Sequence, residues 1–241
     1  MKIFAHRGAS AHYPENTLPS FIAASKLAVE GVELDVQRTA DGVLVIHHDE
    51  RLHRTSNGSG FLRDYTFDQL RQLDFGSWKD DQFAATEIPT LREVLAVFKD
   101  THHMINIELK TDVFEYKGIE DTVLQIVSEM GMSERIIYSS FDHCMVETML
   151  KKAPKNEIGV LFEKILVNLH DYGEKIGSNQ LHISLVAAKR GIMAASMAKG
   201  SIFRVYTVNK IADYDAMEEL GVEAIFTDHP EKMLAHRHRK K

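Results

Sequence analysis

Gly31-Val32-Glu33-Leu34-Asp35-Val36-Gln37-Arg38 alternates apolar and polar residues, and from Val32 onward it reads as a β-strand. On a strand this spacing puts Glu33 and Asp35 on one face and Val32, Leu34 and Val36 on the other. Two like charges side by side repel. A bound cation that prefers oxygen ligands, Mg²⁺ or Ca²⁺, is one reason for a chain to keep them adjacent. A half-exposed strand whose acids face water is the other reading of these residues, so the flanking segments decide between them.

Upstream, Met1 to Ala5 is a short apolar strand that runs into His6-Arg7-Gly8. A loop with Pro14 follows, and Thr17 is placed to cap a helix that has Pro19 in its first turn and extends to about Ala28. Downstream, Ala40-Asp41-Gly42 turns the chain, and Val43 to His47 returns as a hairpin partner. Residues 49–87 break the rhythm. They hold the loop Ser56-Asn57-Gly58-Ser59-Gly60, a short helix over Thr66 to Leu73 with Leu70 and Leu73 inward, and the isolated aromatics Trp78 and Phe83. This segment reads as an insertion rather than another strand–helix unit.

Beyond Ile88-Pro89-Thr90 the alternation becomes regular. Helices are expected over Leu91 to Lys99, Ile119 to Glu129, His143 to Lys151, a polar stretch through residues 165–175, Val186 to Ala198, Ile211 to Leu220, and after Pro230. Strands fall between them. Strands that each precede a helix centre near residues 3, 34, 107, 137, 160, 182, 204 and 225. Eight such units in 241 residues predict a single α/β domain, a TIM (β/α)8 barrel with a small insertion after the second strand. An open doubly wound sheet has the same periodicity, but the glycine-rich phosphate loop of its nucleotide-binding version is absent.

A formal net charge of -6 argues against a nucleic-acid surface. The basic end, His236-Arg237-His238-Arg239-Lys240-Lys241, reads as a frayed, solvated tail. Cys144 is the only cysteine, which excludes an intrachain disulfide. No apolar run is long enough to span a bilayer, and the first strand leaves no room for a signal peptide, so a cytoplasmic protein is expected.

A TIM barrel gathers its active site at the C-terminal ends of the strands. Those ends carry His6-Arg7, Glu33 and Asp35, His47-His48-Asp49, Glu108-Leu109-Lys110, Ser139-Ser140-Phe141, Tyr206-Thr207-Val208-Asn209 and Thr227-Asp228. Three carboxylates, Glu33, Asp35 and Glu108, suit a hard cation. Arg7 and Lys110 suit an anion such as phosphate. His6 and His48 have the pKa range for acid–base work near neutrality. Each has a plainer use taken singly: a strand-end histidine bonded to backbone, or a structural Glu108–Lys110 ion pair. Their shared position at the strand ends favours phosphoester cleavage of a small-molecule substrate.

The same residues resemble a known family. His6-Arg7-Gly8, Pro14-Glu15-Asn16-Thr17, Glu33-Leu34-Asp35-Val36, Asp41-Gly42 and His48-Asp49 are similar to the signature of the glycerophosphodiester phosphodiesterases. So are Arg54-Thr55 with Gly58 and Gly60, Ile88-Pro89-Thr90-Leu91, Asn106-Ile107-Glu108-Leu109-Lys110, Thr207-Val208-Asn209 and Phe226-Thr227-Asp228-His229-Pro230. The resemblance implies a TIM barrel with an insertion after the second strand and one divalent cation on Glu33, Asp35 and Glu108. It implies His6 and His48 as the acid–base pair, and Arg7 and Lys110 on the phosphate. The implied reaction yields sn-glycerol 3-phosphate and an alcohol. The resemblance also implies a route through attack of the glycerol 2-hydroxyl and a cyclic phosphate that water opens. A related lyase that stops at the cyclic phosphate is the neighbouring reading, and a silent phosphodiester-binding barrel the third.

Two positions bear on specificity. Many members carry tryptophan where this chain has Tyr206, expected as a wall of the glycerol pocket. A tyrosine keeps the stacking face and adds a hydroxyl. In the doublet His47-His48, a one-residue shift of hairpin register would turn His47 into the site. The pattern of a histidine directly before aspartate points to His48.

Overall fold

The computed structural model describes residues 1–240. In chain order, β1 (Lys2–Ala5) leads to α1 (Leu18–Ser25), and β2 (Gly31–Arg38) turns back into β3 (Leu44–Ile46). The segment that follows holds α2 (Phe67–Leu70) and ends at α3 (Leu91–Phe98). Then come β4 (Met104–Leu109), α4 (Ile119–Glu129), β5 (Ile136–Ser140), α5 (His143–Lys152), β6 (Glu157–Phe162) and α6 (Leu169–Ile176). The last units are β7 (Gln180–Ser184), α7 (Leu185–Ala188), α8 (Ala194–Met197), β8 (Ile202–Tyr206), α9 (Ile211–Glu219), β9 (Ala224–Thr227) and α10 (Pro230–Lys240).

Eight of these strands pair in parallel around a closed ring, β1-β2-β4-β5-β6-β7-β8-β9, with β9 back on β1. β3 lies outside the ring, antiparallel to β2. The fold is therefore a TIM barrel with an extra strand. Closure is made by β1, which pairs with β2 on one side and β9 on the other. Val32, Leu34 and Val36 face outward into the layer shared with the helices and are fully buried there. Inside the ring a second apolar cluster, Phe4, Ile137, Ala224 and Phe226, fills the space that Glu33 and Asp35 leave. Register then sets the site, because Asp35 pairs with Glu108 and Glu33 with Asn106 across β2 and β4.

Four local expectations change. Thr17 holds the N-cap position of α1, but its hydroxyl donates to the Pro14 carbonyl at 2.6 Å instead of capping. The helix expected over Val186 to Ala198 is two short helices, α7 and α8, because Gly191 takes a positive φ of 70° between them. The polar helix near residues 165–175 begins only at Leu169. The basic end is not a frayed tail through Lys240. It continues α10, with Arg237 on Glu30 at 2.9 Å, His236 on Asp215 at 2.8 Å, and Lys240 on Asp215 and Glu218. Opposite charges on β2's approach and on α9 hold it, and position 241 lies outside the described residues. Among the described residues no helix is long and apolar enough to cross a membrane.

Candidate active site

One cleft opens at the C-terminal ends of the strands. It has two unlike walls. His6, Arg7, Glu33, His48 and Glu108 make the polar side; Phe141, Leu161, Tyr206 and Phe226 make the apolar side. Asp35 and Lys110 lie behind the polar wall, both buried.

The chain places Arg7 and its neighbours by an unusual backbone turn. Arg7 has φ 55° and Gly8 φ 83°, so two consecutive residues are left-handed. That turns the Arg7 N–H onto Glu33 Oε2 at 3.0 Å. Gly8 is required twice over, since a Cβ there would meet Ser20 Oγ at 2.2 Å. Ser20 Oγ in turn donates to the Arg7 carbonyl at 2.8 Å.

Glu33, Asp35 and Glu108 each offer a carboxylate oxygen, all within 4.8 Å of one another. Burial and the charges of Asp35 and Glu108 push the Glu33 carboxyl well above the usual range. Burial raises Glu108 as well, with Lys110 opposing and Asp35 adding to the shift. Burial acts in the same direction on Asp35, but His48, Arg7 and Lys110 outweigh it and hold that carboxyl low. Asn16 Nδ2 donates to Asp35 Oδ2 at 2.8 Å, and Arg7 Nε is 3.3 Å from the same oxygen. Asp35 Oδ1 is buried with no hydrogen-bond partner among the described residues. A crowded carboxylate triad with an orphaned oxygen fits a divalent cation. Lys110 Nζ donates to Glu108 Oε1 at 3.1 Å, so the ion pair anticipated from spacing is present within the cluster.

Each histidine in the wall is oriented by an aspartate. His6 Nδ1 lies 2.7 Å from Asp228 Oδ1, and His48 Nδ1 lies 2.6 Å from Asp49 Oδ1. Burial and the adjacent Arg7 lower the His6 pKa, with Asp228 opposing. Against burial, His6, Asn209 and Ser10 hold the Asp228 carboxyl well below the usual range. Against burial, Asp49 is held low by His48 and by Arg54, whose Nε donates to Asp49 Oδ2 at 2.6 Å. Arg54 also donates twice to Glu15, which takes a third bond from Arg7 at 2.7 Å. Against burial, those two guanidiniums bring the Glu15 carboxyl down to about 2.

The doublet resolves into two different environments. His48 faces the cleft. His47 points away, bonded through Nδ1 to the Asp49 carbonyl at 2.7 Å and through Nε2 to Thr55 Oγ1 at 2.9 Å. Gln37 explains why this register holds. It is the next inward residue of β2 after Asp35, and its amide donates to the carbonyls of His47, His48 and Asp49. Tyr206 is a wall of the cleft, its hydroxyl donating to the Phe162 carbonyl at 2.7 Å. The structure thus brings together every residue expected at the site, with Asp35 and Lys110 behind the lining. It adds Asp228, Asp49, Gln37, Asn16, Glu15 and Arg54. The motifs around Glu15, Asp49, Arg54 and Asp228 flagged most of these positions, but not their partners.

The profile of the glycerophosphoryl diester phosphodiesterase family matches residues 6–232. A glycerophosphodiester phosphodiesterase of Caldanaerobacter subterraneus subsp. tengcongensis is 36% identical over 232 residues, covering 96% of each chain. One of Bacillus altitudinis is also 36% identical, over 97% of this chain and 96% of its own. An Oleispira antarctica phosphodiesterase, solved in complex with the product sn-glycerol-3-phosphate, superposes with a TM-score of 0.86 at 28% identity, over 98% of this chain and 96% of that one. With agreement of this extent, in sequence and in backbone, the chain belongs to the glycerophosphoryl diester phosphodiesterase family, whose members are phosphoric diester hydrolases.

Proposed function

We propose that this enzyme hydrolyses glycerophosphodiesters to sn-glycerol 3-phosphate and an alcohol, using one divalent cation, Mg²⁺ or Ca²⁺, and two histidines. The observation that carries this reading is the pair of imidazoles in one cleft wall, each with Nδ1 engaged by an aspartate, beside three converging carboxylates. Glu33, Asp35 and Glu108 would hold the cation. When bound, it supplies charge neutralisation for the triad and an electrophilic pull on phosphoryl oxygens.

The chain's own groups do the rest. With Nδ1–H donated to Asp228 or Asp49, each ring keeps Nε2 for proton exchange. One imidazole takes the proton from the glycerol 2-hydroxyl as its oxygen attacks phosphorus. The other protonates the departing alcohol oxygen. The two then exchange roles: the second ring deprotonates water, and the first returns its proton to the 2-hydroxyl as the cyclic phosphate opens. Arg7, in the cleft wall, and Lys110, behind Glu108, are the cations available to the phosphate charge. The product in the Oleispira antarctica relative supports glycerol phosphate as the half that stays in the cleft.

The test is release of glycerol 3-phosphate from glycerophosphocholine in a coupled dehydrogenase assay. Release is expected to stop with chelator and return with Mg²⁺ or Ca²⁺. Release that ignores chelator would remove the cation, and no release with any metal or head group would remove the reaction.

We also propose that the chain is one domain, residues 49–87 being an insertion that folds with the barrel. Its small core, Leu52, Leu62, Leu70 and Phe75, is shared with Val45 of β3, and its Thr55 bonds His47. Burial lowers the His47 pKa to about 4. Unfolded, the ring takes a proton below about 6.5. His47 therefore contributes stability that is complete above that pH and is lost as pH falls towards about 4, on the order of 3 kcal/mol in all. A single unfolding transition is expected, less stable with falling pH across that window, and with a flatter dependence in His47→Gln. Two separate transitions would divide the insertion from the barrel. An unchanged slope in the variant would dismiss His47 as the titrating group.

A further inference from the structure

The floor of the cleft holds a polar group that the chemistry above leaves unused. His182, in the middle of β7, lines the cleft and is fully buried. Arg204 of β8, its partner in strand register, donates from Nη1 to His182 Nε2 at 3.1 Å. A guanidinium only donates, so this bond leaves Nε2 with its lone pair and puts the ring proton on Nδ1. Arg204 is buried and ion-paired below to Glu157, at the start of β6. Burial and the Arg204 charge push the His182 pKa well below the usual value, which keeps the ring in this neutral form.

The ring is fixed in place as firmly as its proton. Gly159 of β6 is the reason it can lie where it does, since a Cβ there would come within 2.5 Å of the imidazole. Phe226 packs on it with ring centroids 5.4 Å apart. Yet Nδ1, the one nitrogen obliged to donate, has no acceptor among the described residues. A buried N–H left without an acceptor is costly, and a pinned, unpartnered donor on a residue lining a binding cleft is what a ligand oxygen would satisfy.

We propose that His182 is a specificity-determining residue that donates from Nδ1–H to the terminal hydroxyl of the glycerol moiety, the hydroxyl remote from phosphorus. This rests on the reading of the substrate as a glycerophosphodiester. The 2-hydroxyl is the reacting group in that reading, so the terminal hydroxyl is the one left for recognition at the floor. Sites built to bond a hydroxyl discriminate strongly against analogues that lack it, because the site's own donor is then stranded. His182 would thereby separate glycerol-based diesters from those of propanediol.

The test is binding, by calorimetry in the presence of Ca²⁺, of sn-glycerol 3-phosphate and of the propane-1,2-diol 1-phosphate that keeps the 2-hydroxyl and lacks only the terminal one. The wild type is expected to prefer the former by at least about 10-fold. His182→Asn, whose amide N–H stands near Nδ1, is expected to retain the preference. His182→Phe is expected to reduce it to within about 2-fold. Equal affinities in the wild type, or the full preference in His182→Phe, would overturn the proposal. If His182→Phe does not fold, nitrogen NMR of the wild-type ring decides. The Nδ1–H signal is expected to shift with sn-glycerol 3-phosphate and not with the analogue, and an Nε2–H tautomer or no shift would overturn the assignment. Turnover of glycerophosphocholine is followed alongside. Absent turnover with the binding preference intact would strike the proposed reaction and leave His182 in place.

Discussion

Glu33→Gln is expected to make the metal-free protein more stable while lowering metal-dependent turnover by about 10³-fold or more. The two effects have one cause. Burial, Asp35 and Glu108 all disfavour the Glu33 carboxylate. In the metal-free protein its proton is retained above the ordinary glutamate pKa, so stability is complete below about 4.5 and falls as pH rises through the raised value. Glutamine is the neutral isostere. It removes that pH-dependent loss, and its carbonyl can still accept the Arg7 N–H now bonded to Oε2. It also removes a charged cation ligand. Denaturant titrations of both proteins with chelator, between pH 5 and 8, are expected to show the variant more stable and its dependence flatter. Adding Ca²⁺ is expected to reverse the order. If the variant is less stable in both conditions, Glu33 is a structural carboxylate and the cation site is wrongly assigned.

The opposing effects at Glu33 show why the barrel and most of the site were legible in the sequence. A ring of eight strands requires inward and outward residues to alternate, and β2 and β4 carry Glu33, Asp35 and Glu108 inward towards the rim. Polar residues at strand ends have few uses in a packed barrel other than chemistry. What could not be read is where each polar group finds its partner. His6 and Asp228 meet across 222 residues of chain because ring closure sets β9 beside β1. Arg54 reaches Asp49 and Glu15 only through the fold of the insertion, whose pattern has no period to follow. Gln37 stands near the end of a strand with no motif around it, yet its amide fixes the hairpin that separates His47 from His48. His182 passed as one residue of an ordinary strand because its meaning depends on Arg204 and Gly159, one on each neighbouring strand. The basic end departs from its expectation for the converse reason. Composition reports charge, whereas Glu30, Asp215 and Glu218 decide whether that charge is solvated or paired.

His6→Ala and His48→Ala are each expected to lower kcat by at least about 10²-fold on glycerophosphocholine with folding intact. Neither ring makes a packing contribution that its loss would turn into collapse, since both face the cleft. Alanine leaves Asp228 or Asp49 without its imidazole, but Asp228 keeps Asn209 and Ser10, and Asp49 keeps Arg54. A leaving group that needs no proton separates the two roles. With a glycerophosphodiester of 4-nitrophenol, the histidine that serves as acid in the first step becomes dispensable for that step, and its alanine variant is expected to recover most of the nitrophenol burst. The variant lacking the base is expected to remain slow with both substrates, because the attacking hydroxyl must still lose its proton. Equal recovery in both variants would mean that neither ring acts as the base. Near-wild-type turnover of glycerophosphocholine in both would remove the histidines from catalysis, leaving the carboxylate cluster, Arg7 and Lys110 to drive phosphodiester cleavage.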